Sequence, residues 1–194
     1  MPPKIRFEKQ TIINAGFDIV RFEGEDKLNV RNTAKKLGCS TQPVMSHFST
    51  IDELKREVCI MAENFHTDYL SNITGSMKDI LLNLGMRYIR FAYDEKNLFR
   101  FIFLSGHSSG SILNDIIHGE EQSPVIDLLK VTLRLDSEKC KKAFMILFMF
   151  VHGYAVMIAQ DMTVFDEDKI RSELELSLQG IRNELQKSTD QRTD

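Results

Sequence analysis

The stretch Leu28-Asn29-Val30-Arg31-Asn32-Thr33-Ala34-Lys35-Lys36-Leu37-Gly38-Cys39-Ser40-Thr41-Gln42-Pro43-Val44-Met45-Ser46-His47-Phe48 decides how this chain folds. It divides into two short helical segments around a turn. Asn29 suits the cap of a helix from Val30 to about Leu37, because its side-chain oxygen can accept one of the N–H groups that a helix start leaves orphaned. Gly38 tolerates the positive φ of a tight turn. Gly38-Cys39-Ser40 ends in a second capping residue, Ser40, ahead of a helix from Thr41 to about Phe48. Two helices that cross closely need a small residue at the contact, which Ala34 supplies, and Val30, Leu37, Val44 and Phe48 are expected to form the small core beneath. The pattern is that of a helix-turn-helix.

In such a motif the second helix enters the major groove. Its expected outward residues, Ser40, Thr41, Gln42, Ser46 and His47, are short or amide-bearing and suit base edges and phosphates; a glutamine can pair with adenine through two hydrogen bonds. Pro43 falls in the first turn, where its missing N–H has no intrahelical partner to lose. The plainer alternative is a pair of short helices with a glycine turn and no DNA.

Outward from this stretch every segment has helical periodicity. Lys4 to Glu23 precedes it, closed by Gly24, and Ser49-Thr50 caps a longer helix from Ile51 to about Leu70. Further helices are expected over Ser76–Tyr93, Asn97–Ser105, Ser111–His118, Ser123–Leu135, Ser137–Asp161 and Asp166–Lys187. Phe99-Arg100-Phe101-Ile102-Phe103 also alternates as a strand would, but with no partner strand in sight helix is preferred. With only 4 Pro and 10 Gly in 194 residues, breakers are too few for a loop-rich or all-β fold. The expected class is all-α: a three-helix N-terminal domain over residues 1–50 and a helical domain over 51–190.

Charge is mildly uneven. Residues 1–60 hold 10 Lys+Arg and 8 Asp+Glu, and residues 61–194 hold 15 and 20, so +2 and −5 make up the net −3. This permits DNA binding without requiring it. Cys39, Cys59 and Cys140 are odd in number and far apart, which points away from a disulfide framework or zinc cluster and toward a reduced cytoplasm. The start Met1-Pro2-Pro3-Lys4-Ile5-Arg6 has no apolar run of the secretory kind. Ala143 to Ala159 is apolar apart from His152 and Gly153, at the lower length limit for a membrane span; a helix buried in a core or dimer interface is the preferred reading, and no membrane partner is expected.

Residues 12–54 resemble the DNA-binding domain of the tetracycline-repressor (TetR) family. That family's order is an Ile-Leu-x-Ala-Ala helix, a Gly, a Val-Arg-x-x-Ala helix, Gly-Val-Ser, Leu-Tyr-x-His-Phe and a Ser-Lys-x-x-Leu helix start. The chain matches in order with Ile12-Ile13-Asn14-Ala15-Gly16, Gly24, Val30-Arg31, Ala34, Gly38-Cys39-Ser40, Val44-Met45-Ser46-His47-Phe48 and Ser49-Thr50-Ile51-Asp52-Glu53-Leu54. The family's usual Tyr is Met45 here and its usual Lys is Ile51. Both normally touch phosphate, so the resemblance implies fewer backbone contacts and a shallower salt dependence. Lys4, Arg6, Arg31, Lys35, Lys36, Lys55 and Arg56 are candidates to compensate. The DNA-contacting set is thus Asn29, Arg31, Ser40, Thr41, Gln42, Pro43, Met45, Ser46, His47 and Lys55.

The resemblance further implies a homodimer built from the last two long helices, binding a palindromic site on double-stranded DNA, and a small-molecule effector. The residues support the dimer independently. Met145, Met149, Gly153 and Val156 share one helical stripe, and Ile170, Leu174, Leu178 and Ile181 share another. Phe99, Phe103, Phe144 and Phe148, with His107 and His152 as polar anchors, are candidates to line an apolar ligand pocket; ordinary core packing is the rival role for each.

An enzyme is not expected. His47, His66, His107, His118 and His152 make no metal spacing with one another or with Cys or acids, no phosphate loop or nucleophile elbow is present, and Asp166-Glu167-Asp168 reads as helix-start charge. No cofactor or metal is therefore expected. The serious rival is a dimeric protein-binding adaptor of the same fold with weakened DNA affinity.

Overall fold

A computed structural model describes residues 7–71, 77–107 and 124–190. Among them all regular structure is helical: α1 (Lys9–Glu23), a 3-10 turn (Glu25–Lys27), α2 (Val30–Lys36), α3 (Thr41–His47), α4 (Ile51–Ser71), α5 (Met77–Asp94), α6 (Lys96–Phe103), α7 (Pro124–Leu133), α8 (Ser137–Ala159) and α9 (Glu167–Asp190). The chain is all-α. The ambiguous aromatic run is helical, but Leu98, Phe99, Phe101 and Ile102 are all buried. Helix α6 is thus covered on more than the single Phe99–Ile102–Phe103 face expected, and Phe103 itself is half-buried. The helix expected over Ser111–His118 lies outside the described residues.

Local chemistry sets the boundaries. Gly24 ends α1 at φ 93°, its N–H donating to the Val20 carbonyl at 3.0 Å. Helix α4 starts in a capping box: the Glu53 N–H donates to the Thr50 hydroxyl at 3.2 Å, and the Glu53 carboxylate accepts from the Ser49 N–H at 2.7 Å. Asp136 caps α8 by accepting from the Lys139 N–H at 2.9 Å, and Asp166 caps α9 in the same way through Lys169 at 3.1 Å.

The chain divides into two compact units, one of Met1–Asp68 with Glu95–Ser109, the other of Tyr69–Asp94 with Gly110–Asp194. The residue 50/51 boundary expected from the sequence falls inside the first.

In the first unit α1 is central, with Ile12, Ile19 and Val20 almost wholly buried. A Cβ at Gly16 would stand 2.7 Å from Val58 Cγ2, so α1 approaches α4 more closely here than any side chain allows. Phe17 meets Phe65 edge to face at 5.6 Å between centroids. Helix α6 is tied to α1 by polar groups: the Arg21 guanidinium grips both carboxylate oxygens of Glu95, and Asn97 Nδ2 donates to the Arg21 carbonyl at 3.1 Å. Glu25 Oε1 accepts from Lys55 Nζ at 2.8 Å and contacts His107 Nε2 at 2.7 Å. Burial pushes the Glu25 carboxyl up, but these two hydrogen bonds and charges outweigh it, and the net shift is below the usual carboxylate range.

In the second unit α5 packs against α8 and α9. A Cβ at Gly85 would come 2.8 Å from Leu174 Cδ2 and 3.3 Å from Val151 Cγ2, so this glycine is where three helices meet. Tyr88 Oη and His152 Nδ1 are 2.9 Å apart across α5 and α8, and the Tyr154 hydroxyl donates to Glu173 across α8 and α9. Among the described residues α8 is the one helix long and apolar enough to cross a membrane, with a mean hydropathy of 1.8 over its best window, a third of which is buried.

Two of the cysteines are buried. Burial, with Glu63 and Glu25 nearby, pushes the Cys59 thiol up to about 12, and burial raises Cys140. Cys39, in the turn between α2 and α3, is half-exposed.

Candidate nucleic-acid interface

Helices α2 and α3 pack directly on each other. The Asn29 side chain accepts from the Asn32 N–H at 2.9 Å and so caps α2, and Gly38 has φ 66° in the turn. Ala34 is buried at the helix contact. Beneath the motif the core differs from expectation. Val44 and Phe48 are buried, but Val30 and Leu37 are only half-buried, and Leu28 and Thr33 take their place. Thr33 is tolerated inside because its hydroxyl donates to the Asn29 carbonyl at 2.9 Å. Ser40 precedes α3 but makes no side-chain cap bond, contrary to its expected role.

Thr41, Gln42, Met45 and Ser46 all stand on the exposed side of α3, opposite buried Val44. Pro43 is half-buried in the first turn. The Ser46 hydroxyl donates back to the Pro43 carbonyl at 2.8 Å, leaving its oxygen lone pairs outward. Arg31, Lys35 and Arg56 are exposed. Three expected contributors are placed differently. The His47 ring is exposed, yet Nε2 sits 2.9 Å from the Phe7 carbonyl; a carbonyl can only accept, so this nitrogen carries the proton and holds the segment before α1. Lys55 is paired with Glu25 and only 20% exposed, so it stands less free for phosphate than the sequence suggests. Lys36 lies 3.4 Å from Asp18, a surface pair of little energetic weight. Lys4 and Arg6 lie outside the described residues.

The six residues expected to line a ligand pocket fall in different units. Phe99, Phe103 and His107 belong to the first, where Phe99 is buried with its ring tilted against that of Phe103, while His107 is held by Glu25. Phe144, Phe148 and His152 belong to the second, where they form one stacked column along α8 with ring centroids 5.8 and 5.2 Å apart. His152 is lowered by burial and is therefore neutral at neutral pH. Among the described residues no cluster of His, Cys, Asp or Glu has metal-binding geometry.

The residues expected at a dimer interface also separate. On α8, Met145 and Val156 are half-buried, Met149 is 57% exposed, and Gly153 has open space where a Cβ would be. On α9 the stripe is a correction. Ile170, Leu174 and Ile181 are buried within their own unit, because α9 packs on α5 and α8, and Leu178 is half-buried. Sequence reasoning missed the outward apolar residues Ile146, Met157 and Leu176, all exposed. A helical repeat shows that α8 is apolar nearly all round, but not which side its own unit leaves open.

No family model matches the chain, and no curated protein matches it. Among solved structures, a transcriptional regulator from Rhodococcus sp. Rha1 is similar to it with a TM-score of 0.61 at 17% identity, over 89% of this chain and 94% of that one. The two share a fold.

Proposed function

We propose that the protein is a TetR-like transcription regulator: a homodimer that reads a palindromic site on double-stranded DNA through α3 and is released by a small-molecule effector. The observation that carries this reading is the open face of α3, where Thr41, Gln42 and Ser46 stand together on a helix held from behind by Val44 and Phe48. Groups of this size and polarity complement base edges, and Gln42 suits adenine. Exposed Arg31 and Lys35 on α2 and Arg56 on α4 supply charge for phosphate. With Lys55 committed to Glu25 and Met45 in place of a hydroxyl-bearing residue, phosphate contacts are few, so affinity depends on engaging two half-sites at once.

The second copy is expected on the outward side of α8 and α9, where Ile146, Met149, Met157 and Leu176 are exposed beside Gly153 and Gly180. Apolar surface of this kind calls for a partner, and glycines allow backbones to approach.

Selection from random duplex DNA at low salt tests the reading. The expected result is enrichment of a palindrome, with Gln42→Ala weakening binding by about tenfold and relaxing preference at one position in each half-site. No enrichment by a correctly folded dimer would instead indicate the protein-binding adaptor.

A further inference from the structure

The second unit contains an open cavity of about 400 Å³ at the C-terminal end of α7, bounded by α5 and α9. Its chemistry is two-sided. Leu81 from α5, Leu133 from α7 and Leu178 from α9 supply apolar surface, while Arg134 and Arg182 supply two cations. The size is that of a small-molecule site, and apolar walls with a few polar groups are the usual composition of one.

Two observations point to an anionic occupant. First, neither arginine forms an ion pair among the described residues. On α9 the positions three and four away from Arg182 are Leu178, Gln179, Leu185 and Gln186, so its own helix offers no carboxylate. The acid nearest Arg134 in sequence, Asp136, is engaged as the cap of α8. Second, Arg134 has φ 56° and closes α7 by donating its N–H to the Lys130 carbonyl at 2.9 Å. That position favours glycine, so the arginine is held there against local backbone preference.

We propose that this cavity binds a small amphipathic carboxylate, its hydrocarbon part against Leu81, Leu133 and Leu178 and its carboxylate between Arg134 and Arg182. The assignment gives the effector of the proposed regulator a chemical class and a place apart from the aromatic column on α8. Binding itself does not depend on the DNA reading.

Titration calorimetry of the full chain, without DNA, tests it with octanoate, octanol and octylamine. Octanoate is expected to bind at least tenfold more tightly than either of the others, since only it makes charge-assisted hydrogen bonds to both arginines. Arg182→Gln is expected to weaken octanoate about tenfold. Arg134→Gly is expected to weaken it similarly while the melting temperature stays level or rises, because glycine relieves the backbone strain; a folding defect would lower it. Octanol binding as tightly as octanoate, both variants binding like the parent, or no heat with octanoate at millimolar concentration would each overturn the proposal. Each would leave the DNA selection unaffected, so the two readings fail separately.

Discussion

Helix α3 in the first unit and helix α8 in the second each leave one face open, and the two faces have opposite chemistry. On α3 the open residues are Thr41, Gln42, Met45 and Ser46; on α8 they are Ile146, Met149, Gly153 and Met157. A short polar face can stay hydrated until a polar partner replaces the water. An apolar face of two methionines and an isoleucine carries a standing cost in water, which falls when a second apolar surface covers it. The contrast teaches that exposure alone says little. Its polarity separates a surface suited to intermittent contact with a polar partner from one suited to permanent association.

Four measurements break or sharpen this contrast. Leu174, 2% exposed and seated on Gly85, belongs to the covered side of α9. Leu174→Ala is expected to lower unfolding stability by about 3 kcal/mol in denaturant titrations at any protein concentration, as cavity formation does. Were the loss to disappear on dilution, the residue would belong to an interface after all. On the open side, Met149→Glu is expected to leave each chain folded but weaken self-association by about a hundredfold, read by sedimentation velocity. A variant that associates like the parent removes α8 from the interface.

Acid tests the first unit. His66, buried against Phe103 at 5.3 Å between centroids, is lowered by burial to about 4, from an ordinary 6.5. Above pH 6.5 the ring is neutral folded or unfolded and pH has no leverage. As pH falls from 6.5 toward 4 the unfolded chain takes the proton first, so stability is lost, by about 2 kcal/mol at pH 5. His66→Phe is expected to remove most of this loss in melting curves at pH 7 and pH 5; His152, also lowered by burial, adds a remainder of the same sign. An unchanged pH slope would mean that the ring reaches solvent in the folded state.

The smallest effect concerns Gly153, where a Cβ meets nothing in its own chain. If the α8 face were bare, Gly153→Ala would stabilise the chain by about 1 kcal/mol through helix propensity. With a second copy packed there the sign reverses at micromolar concentration, and the gain returns only on dilution.

How much was legible in the sequence follows from the range of the interaction involved. Asn29, Ala34 and Gly38 act on neighbours a few residues away, and their roles as cap, contact and turn were readable. So was the Thr50 cap, though not that Glu53 would complete it. Ser40 shows the limit of such local rules: the residue type was right for a cap, but the bond is absent. The joining of α6 to α1 was not legible, because Arg21 and Glu95 lie 74 positions apart and neither stands out by periodicity. The same holds for Lys55, which by type suits phosphate and is claimed instead by Glu25. Apolar stripes carried half the information. They marked α8 and α9 as helices with faces to bury, while the close approach at Gly85, which turns Ile170 and Leu174 inward, depends on three helices meeting. Gly16 stands where the TetR pattern has alanine, and the lack of a side chain there sets the separation of α1 from α4.

The placement of the cysteines has a practical consequence. With Cys59 and Cys140 sequestered and their thiols raised, a maleimide probe at neutral pH would attach preferentially to Cys39. That atom sits one residue past the glycine of the α2–α3 turn. The native chain therefore offers a near single-site handle beside α3, and in the proposed dimer a spin label there would turn the separation of the two copies of α3, with and without a small molecule, into a distance recorded by pulsed resonance.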